Sequence, residues 1–411
     1  MSMQPLTIAM LSIHSSPIGE LGTRDTGGMS VYVRELAREM GSMGHQVDIF
    51  THAWRDDATT VAVLAPRVRL ISLTISHRGP LSKAGLYPHA GDHAAAIETF
   101  CRRQARAYDL IHSHYWLSGH VGRMLKTRWH RPHAITFHTL GAAKAEIGVG
   151  AVEPTLRLAV EKELVAACDG LLAPCEGEKS NLMHYYRADA ARIAMVPGGV
   201  DLKRFRPMQK GKARQRLGLA SHGPLLLSIG RLTPQKGQDR IINALACLDG
   251  DYRPQLMVVG GDGNDDPEGQ RLKVIAARAG VQDQTYFIGS VPHHDLPSYY
   301  AAADVFVQAS HYESFGLVGL EALACGRPVV STPVGVMATL SRRQRPGIVI
   351  ADGSPAGLAA GVATAVDRAA DWPTPVIRQT AKAYSWTQAA AAALEAYRTA
   401  MQADAVPYSR R

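Results

Sequence analysis

Residues 304–332 read DVFVQASHYESFGLVGLEALACGRPVVST, which predicts a strand, a loop with glycine, a short helix and a second strand. The first strand is the apolar run Asp304–Gln308, and the second begins at Pro328. This order places the backbone amides of residues 314–317 at the start of a helix, where unpaired N–H groups and the helix dipole favour an anion. The segment therefore predicts an α/β fold with an anion site in this loop.

Two carboxylates flank this loop, since Glu313 and Glu321 stand eight residues apart in ESFGLVGLE. Gly316 would let the backbone approach a phosphate closely, because glycine has no Cβ. One carboxylate would lie at the mouth of the loop and the other about a turn into the helix. A nucleotide-sugar, with a diphosphate between two hydroxyl-bearing groups, would fit this set. The spacing also fits a capped helix with two solvated glutamates, because short motifs match by chance.

The composition indicates a soluble globular protein with room for two domains, with 411 residues, 46% apolar and 20% charged. No apolar run reaches the roughly 18 residues that span a bilayer. The opening MSMQPLTIAMLSIHSS lacks the features of a secretory signal. The five cysteines form no CxxC pair, which predicts buried thiols in a reducing cytoplasm rather than disulfides or zinc ligands.

The net charge of +9 suits phosphorylated ligands, nucleic acid or an anionic membrane surface. No run of five basic residues and no basic patch interleaved with aromatic residues is present. Nucleic acid is therefore the weaker of these choices, and we expect no nucleic-acid partner.

Apolar runs alternate with helical patterns in two series, which predicts two Rossmann-like parallel-sheet domains. The strands predicted for the first series are Thr7–Ile13, Gln46–Thr51, Val68–Leu73, Leu110–His114, His133–Phe137, Gly170–Ala173 and Ile193–Val196. Those of the second are Leu225–Gly230, Gln255–Gly260, Thr285–Ile288, Asp304–Gln308, Pro328–Thr332 and Ile348–Ala351. Residues 197–216, rich in Pro, Gly and charge, predict a linker between the series.

We therefore expect an N-terminal domain over residues 1–200 and a C-terminal domain over residues 201–383. A helix over residues 384–403 is predicted to pack back on the first domain. Ligands of open α/β sheets bind at the carboxyl ends of the strands, so the cleft between the domains is the expected site.

Glycines follow strands at two places in the chain. Gly27 and Gly28 precede a helix predicted to open near Met29, so their amides could face a phosphate, although a plain tight turn explains them equally. The sequence GGDGN at residues 260–264 leaves the same two alternatives open.

Two cations follow the predicted strand that ends at Gly230, in the sequence SIGRLTPQKG. Arg231 and Lys236 stand five residues apart and could neutralise a diphosphate and stabilise it as a leaving group. Solvated surface charges are the alternative, and they are the usual fate of Arg and Lys.

The motifs GRLTPQKG, ESFGLVGLE and PGGVD together resemble those of the retaining glycosyltransferases of family 4, which have the GT-B fold. The resemblance covers nearly the whole chain. Within that family, SIHSSPIGELGTRDTGGMSVYV and LIHSHYWLSG are most similar to the inositol-phosphate glycosyltransferases of mycothiol synthesis, and they are also similar to the sucrose-phosphate synthases.

The resemblance implies a donor site. Arg231 and Lys236 would bind the donor diphosphate, Glu321 would hold ribose hydroxyls, and Glu313 would face the donor sugar near its reacting carbon. His138, in FHTLG, would hydrogen-bond the donor sugar, although a lone histidine at a strand end is more often structural. The catalytic residues implied are Arg231, Lys236, Glu313 and His138. Further donor contacts are implied for Glu20, Leu21, Gly28, Phe315, Gly316 and Leu317.

The resemblance also implies an acceptor site in the first domain. Four residues from separate segments match a phosphate pocket, namely Lys83, Tyr115, Thr139 and Arg157. Cations supply charge to a phosphate dianion while hydroxyl groups fix its orientation. Polyol contacts are implied for His14, Asp25, Thr26, Gly27 and Ser30.

Two departures from the family pattern leave the exact substrates open. Ser30 stands where the inositol-phosphate enzymes have asparagine, and Gly335-Val336 replaces the usual Gly-Gly. The first departure concerns an acceptor-facing position, and together they leave both the acceptor and the donor sugar undetermined.

The resemblance implies that the leaving phosphate itself deprotonates the acceptor, so that no protein nucleophile is required. We therefore expect no metal and no cofactor. The expected activity is cytoplasmic, retaining transfer of glucose or N-acetylglucosamine from a UDP-linked nucleotide-sugar to a phosphorylated polyol or sugar. Alternatives are a peripheral-membrane transferase building a lipid-linked or polysaccharide glycan, and a nucleotide-sugar-binding subunit without activity. A homodimer is compatible with the sequence.

Overall fold

Two sheets organise the chain in the computed structural model, which describes residues 4–18, 27–54, 58–76, 82–219, 223–248, 254–263, 266–343 and 345–404. The strands of the first sheet are β1 (Thr7–Leu11), β2 (Gln46–His52), β3 (Thr60–Ala65), β4 (Val68–Leu73), β5 (Leu110–His114), β6 (His133–Thr136), β7 (Gly170–Ala173) and β8 (Ile193–Met195). Those of the second are β9 (Leu225–Ile229), β10 (Gln255–Val259), β11 (Thr285–Gly289), β12 (Val305–Gln308), β13 (Val329–Ser331) and β14 (Ile348–Ile350).

Helices cover the sheets. In the first half they are α1 (Gly28–Ser42), α2 (Ala90–Arg103), α3 (Trp116–Trp129), α4 (Gly141–Ile147), α5 (Thr155–Ala167) and α6 (Glu176–Tyr186). The remainder are α7 (Lys210–Arg216), α8 (Gln238–Leu245), α9 (Pro267–Arg278), α10 (Leu296–Ala302), α11 (Leu317–Ala324), α12 (Gly335–Ser341), α13 (Pro355–Asp367), α14 (Thr374–Lys382) and α15 (Trp386–Asp404). Among the described residues, no helix combines the length and apolarity needed to cross a bilayer.

The strand order confirms the predicted α/β class. The first sheet runs β3-β4-β2-β1-β5-β6-β7-β8 and the second runs β11-β10-β9-β12-β13-β14. Each described pairing is parallel except β3 with β4. Parallel strands are buried on both faces, and this burial gives them the continuous apolar runs by which the sequence located them.

Every strand predicted from the sequence is present, with its ends shifted by at most two residues, and one observed strand was not predicted. Strand β3 lies at the sheet edge, and its residues Val61 and Val63 remain 49% and 76% exposed. An exposed antiparallel edge strand lacks the buried run that identified the others, so the prediction missed it.

The segment predicted as a linker is structured. Residues 197–216 contain helix α7, and Val200 pairs with Ser385 in an isolated bridge. The guanidinium of Arg378 donates hydrogen bonds to the carbonyls of Leu202 and Phe205, both at 2.6 Å. These contacts hold the segment that connects the two sheets against helix α14, which follows the last strand of the second sheet.

The last helix, α15, packs on the first sheet. It contacts α1 and strands β6, β7 and β8, and its Tyr397 is completely buried. The Tyr397 hydroxyl lies 2.7 Å from Nδ1 of His112, which is also buried, on strand β5. The chain therefore returns to the N-terminal half and closes its core.

Replacing Tyr397 with phenylalanine should destabilise the protein by about 1–3 kcal/mol, because a buried ring nitrogen of His112 would lose its hydrogen-bond partner. The midpoint of thermal or urea unfolding measures this. The exposed Glu395 of the same helix offers a control, since Glu395→Gln should leave the midpoint unchanged. Equal midpoints for Tyr397→Phe and the wild type would contradict the buried hydrogen bond.

Candidate functional site

A cavity of about 260 Å³ lies where the carboxyl ends of strands from the two sheets face each other. The first half contributes residues after β1, β5 and β6 and the first turn of α1, whereas the second half contributes residues after β9, β10 and β12. Of the predicted site residues, the cavity is lined by His14, Gly27, Gly28, Lys83, Tyr115, His138, Thr139, Arg231, Lys236, Glu313, Phe315, Gly316, Leu317 and Glu321.

Backbone amides reach the cavity from both halves of the chain. Helix α11 begins at Leu317, directly after Gly316 with its positive φ of 88°. Helix α1 begins at Gly28, one residue before the predicted start, and a Cβ on Gly28 would lie 3.8 Å from Leu317 Cδ1. A Cβ on Gly27 would lie 3.4 Å from Nε of Arg231. The glycine pair therefore lies against Arg231 and the start of α11 in the second half of the chain.

The predicted cation Lys236 and the predicted carboxylate Glu313 form an ion pair that the sequence did not reveal. Lys236 Nζ donates to Glu313 Oε1 at 2.6 Å, and Ser310 Oγ lies 2.8 Å from the same oxygen. Seventy-seven residues separate the two partners, so local spacing carries no signal for the contact. The pair holds the ammonium group at the cavity wall.

Glu321 is 5% exposed and lines the cavity. Its Oε1 lies 2.8 Å from Nε2 of His293, and its Oε2 accepts a hydrogen bond from the Tyr300 hydroxyl at 2.9 Å. Both partners were missed by sequence reasoning. Each carboxylate oxygen has two lone-pair sites, so Glu321 can still accept a hydrogen bond from a ligand hydroxyl.

The predicted phosphate-binding residues converge on one ring. Lys83 Nζ lies 4.4 Å and Arg157 Cζ lies 4.9 Å from the centre of the Tyr115 ring, within cation–π range. Lys83, Tyr115 and Thr139 line the cavity. Four separate segments of the chain thus meet around Tyr115 in the fold.

Arg157 differs from the prediction because it is 2% exposed and does not line the cavity. Its Nε and Nη1 donate to Glu161 and Glu153, each at 2.7 Å. Its Nη2 donates to the carbonyl of Thr139 at 2.7 Å and to the Thr139 hydroxyl at 3.0 Å. Two carboxylates therefore offset its charge. Arg157 contacts Tyr115 and Thr139 on the side that faces away from the cavity.

Ser30 was predicted to contact the acceptor, yet it is completely buried and absent from the cavity wall. Its hydroxyl lies 2.8 Å from that of Ser15, because the first turn of α1 directs it into the protein. Ser15 lines the cavity in its place. Four predicted contacts, Glu20, Leu21, Asp25 and Thr26, lie outside the described residues.

A row of histidines extends from the cavity into the first domain. His138 Nε2 lies 2.9 Å from His114 Nδ1, and the rings of His114 and His112 are 4.1 Å apart. Burial lowers the pKa of His138 to about 3, and burial also lowers the pKa values of His14, His112 and His114 well below 6.5. His138 therefore meets a ligand as a neutral hydrogen-bonding group.

Both halves of the chain match known families. Residues 26–204 match the family described as Glycosyltransferase Family 4, and residues 209–373 match the family described as Glycosyl transferases group 1. D-inositol 3-phosphate glycosyltransferase 2 of Catenulispora acidiphila is 39% identical over 405 residues, which cover 96% of this chain and 95% of that protein.

Solved structures share the same architecture. Sucrose-phosphate synthase from Thermosynechococcus elongatus superposes with a TM-score of 0.87 at 28% identity, covering 96% of this chain and 98% of that one. Anabaena HepE, solved in complex with UDP and glucose, superposes with a TM-score of 0.73 at 19% identity, covering 95% and 98% of the two chains. The second likeness shows the fold alone.

Acid should destabilise the protein through its buried histidines. His112 resists protonation in the folded state, whereas in the unfolded chain it takes up a proton below about pH 6.5. Its contribution to stability is complete above that pH and is lost as the pH falls below it. His112→Gln should reduce the pH slope of the unfolding free energy by up to one proton, about 1.4 kcal/mol per pH unit.

Denaturant titrations between pH 5 and 7.5 measure this slope. The exposed His294 provides the matched control, because His294→Gln should leave the slope unchanged. If the two variants shift the slope equally, burial of His112 is not the cause.

Proposed function

The chain belongs to glycosyltransferase family 4 and is a glycosyltransferase of the GT-B type, and from this premise we propose that it moves a hexosyl unit from a nucleotide-sugar to a phosphorylated polyol or sugar. One observation carries the proposal. A single cavity brings Arg231, Lys236 and Glu313 of the second half opposite Lys83 and Tyr115 of the first. Cations contributed by both halves to one cavity suit a reaction between two phosphate-bearing substrates.

The second half of the chain takes the donor in this proposal. Arg231, Lys236 and the amides at the start of α11 would neutralise the diphosphate, while Glu321 would accept hydrogen bonds from ribose hydroxyls. Neutral His138 would hydrogen-bond the sugar. Lys236 would then exchange its Glu313 partner for a phosphate oxygen. A UDP-linked glucose or N-acetylglucosamine is the proposed donor.

Transfer with retention is proposed on one face of the sugar. The bond from the anomeric carbon to the leaving phosphate oxygen breaks, and a bond from that carbon to the acceptor oxygen forms. The proton of the acceptor hydroxyl passes to the leaving phosphate oxygen. The side chains then need only to bind, orient and neutralise charge, so the proposal assigns no step to a metal or cofactor.

The first half of the chain takes the acceptor. Lys83 would bind its phosphate, and the hydroxyls of Tyr115 and Thr139 would orient that group. Arg157 would act from behind the wall by fixing Thr139 through two hydrogen bonds. Because curated relatives are named D-inositol 3-phosphate glycosyltransferases, an inositol phosphate is the first acceptor to test. The unpaired state of the five cysteines agrees with the proposed cytoplasmic location.

A mass-spectrometric screen tests the function directly. UDP-, ADP- and GDP-linked glucose and N-acetylglucosamine are combined with inositol phosphates, sugar phosphates and their dephosphorylated counterparts. The proposal expects a hexosylated acceptor that retains its phosphate group, formed only from phosphorylated acceptors and formed equally well in the presence of EDTA. Product only on lipid-linked or polysaccharide acceptors would favour the membrane alternative, and donor binding without turnover would favour a binding subunit.

Loss of either donor-site cation should lower turnover by about 10²-fold or more, because the charge of the leaving diphosphate would lose a partner. Arg231→Met and Lys236→Met test this by steady-state kinetics. The exposed Lys273→Met serves as the control for loss of one positive charge in the same domain. Near-normal turnover in either variant would contradict the donor-site assignment.

Loss of Lys83 should weaken the acceptor and leave the donor nearly unaffected. One charge-assisted contact contributes about 1.5–3 kcal/mol, so Lys83→Met should raise the acceptor KM by roughly 10–150-fold. The exposed Lys162→Met of helix α5 is the matched control. If an acceptor without phosphate is used as efficiently as its phosphorylated form, Lys83 does not bind an acceptor phosphate.

A further inference from the structure

A carboxyl group of the first half of the chain lies against the donor loop without taking part in the proposed chemistry. Glu178 belongs to the first turn of α6 and is 2% exposed. Its Oε2 accepts hydrogen bonds from the Tyr312 hydroxyl at 3.1 Å and from Ser314 Oγ at 2.7 Å. These two donors are the chain neighbours of Glu313, so one carboxyl group holds both sides of that residue.

Other contacts fix the same segment from the same side. The thiol of Cys175 donates to the Ser314 carbonyl at 2.9 Å. The Leu140 amide donates to the Tyr312 hydroxyl at 3.4 Å, directly after the acceptor-side Thr139. A Cβ on Gly198 would lie 2.8 Å from the Phe315 ring, so only glycine permits this approach. Residues of the first domain therefore hold the loop that carries Glu313 through hydrogen bonds and close packing.

Glu313 lies at the cavity wall, where it pairs with Lys236 at 2.6 Å before a donor enters. A displacement of the Tyr312–Ser314 segment would move the Glu313 carboxylate relative to the acceptor side of the cavity. A displacement of about 1 Å between reacting groups can lower the reaction rate by about 10²-fold. The segment thus needs an anchor outside its own domain.

Glu178 is a costly anchor, because its Oε1 is buried without a hydrogen-bond partner. Burial raises its pKa to about 7. The ionisable groups that influence the pKa of Glu178 are Glu161 and Arg157 of α5 and Tyr312 of the loop. The Glu178 carboxylate in turn interacts electrostatically with Cys175 and Tyr32. Both protonation states are accessible near neutral pH, and the ionised one accepts the stronger hydrogen bonds.

We propose that Glu178 is a positioning residue for the transfer reaction, which holds Tyr312 and Ser314 across the domain boundary and thereby keeps Glu313 in position relative to the acceptor. This inference rests on the proposed function. Glu178 touches neither substrate in this role, and it acts through the loop alone.

The test compares Glu178→Ala, Glu178→Gln and Ser314→Ala in the full-length enzyme with the donor and acceptor identified by the screen. Glu178→Ala should lower kcat at least tenfold, with a smaller change in donor KM. Glu178→Gln should restore most of this loss, because the amide oxygen still accepts both hydrogen bonds. The exposed Glu176→Gln, from the same helical turn, should match the wild type.

The pH profile separates positioning from general stabilisation. Wild-type kcat should rise with pH through about 7 as the hydrogen bonds become charge-assisted, and Glu178→Gln should lack this limb. Ser314→Ala removes the Ser314–Glu178 hydrogen bond by deleting its donor. The two substitutions together should therefore lower kcat by less than the combined effects of Ser314→Ala and Glu178→Ala measured separately. Additive effects, or a wild-type pH limb in Glu178→Gln, would overturn the proposal.

A second measurement needs no transfer activity. A raised pKa means that the folded protein binds the Glu178 proton more tightly, so the stability that Glu178 itself contributes should fall as pH rises from about 4.5 to about 7. The melting temperature of the wild type relative to that of Glu178→Gln should therefore fall over this range, and a constant difference between the two proteins would refute the buried-carboxyl anchor. An active wild type with an equally active Glu178→Ala would refute only this inference. An inactive wild type with the expected melting profile would refute the proposed function and the transfer role together, while retaining the anchor.

Discussion

Parallel strands all end at the same edge of a sheet, and this constraint brings together the side chains that follow the strands and line the cavity. Strands β1, β5 and β6 lead into His14, Tyr115 and His138, while β9 and β12 lead into Arg231 and Glu313. The two sheets face each other at these edges, so loops from distant parts of the chain line one cavity. The antiparallel strand β3 lies at the outer edge of the first sheet, and none of its residues lines the cavity.

The cavity keeps its charges in place through pairs within the protein. Lys236 is held by Glu313, Arg157 by Glu153 and Glu161, and Lys83 lies over the Tyr115 ring. The paired cations of the two halves differ in how much of the side chain remains exposed. Lys236 keeps 24% of its side chain exposed, whereas Arg157 keeps only 3% and is enclosed behind the cavity wall. Charges fixed in advance lower the reorganisation needed when a charged ligand enters.

Contacts across the domain boundary are as specific as those within either domain. Gly27 and Gly28 admit Arg231 and Leu317 at close range, and Gly198 admits the Phe315 ring. Glu178 and Cys175 add hydrogen bonds to the same loop. The loop at residues 312–316 is therefore a shared element, built by the second half of the chain and oriented by the first. Any relative motion of the domains would change the site itself.

The sequence by itself determined the class of fold, the strand series and the start of the helix after Gly316, because these depend on local patterns of apolar residues and glycine. It also identified fourteen of the residues that line the cavity, since motifs at strand ends must meet at one edge. Tertiary structure alone decided the partners of those residues. Lys236 pairs with Glu313, and His293 with Glu321, across separations that no local pattern records.

Two predictions about roles failed for the same reason. The sequence shows the charge of Arg157 and the hydroxyl of Ser30, but only the fold shows that Glu153 and Glu161 surround the first and that Ser15 meets the second. Glu178 is the opposite case, since the sequence did not single it out and the fold gives it a specific environment. Its neighbours in the sequence do not distinguish it from the exposed Glu176. The character of a charged or polar group is set by the atoms within a few ångströms of it, and those atoms come from segments that only folding brings together.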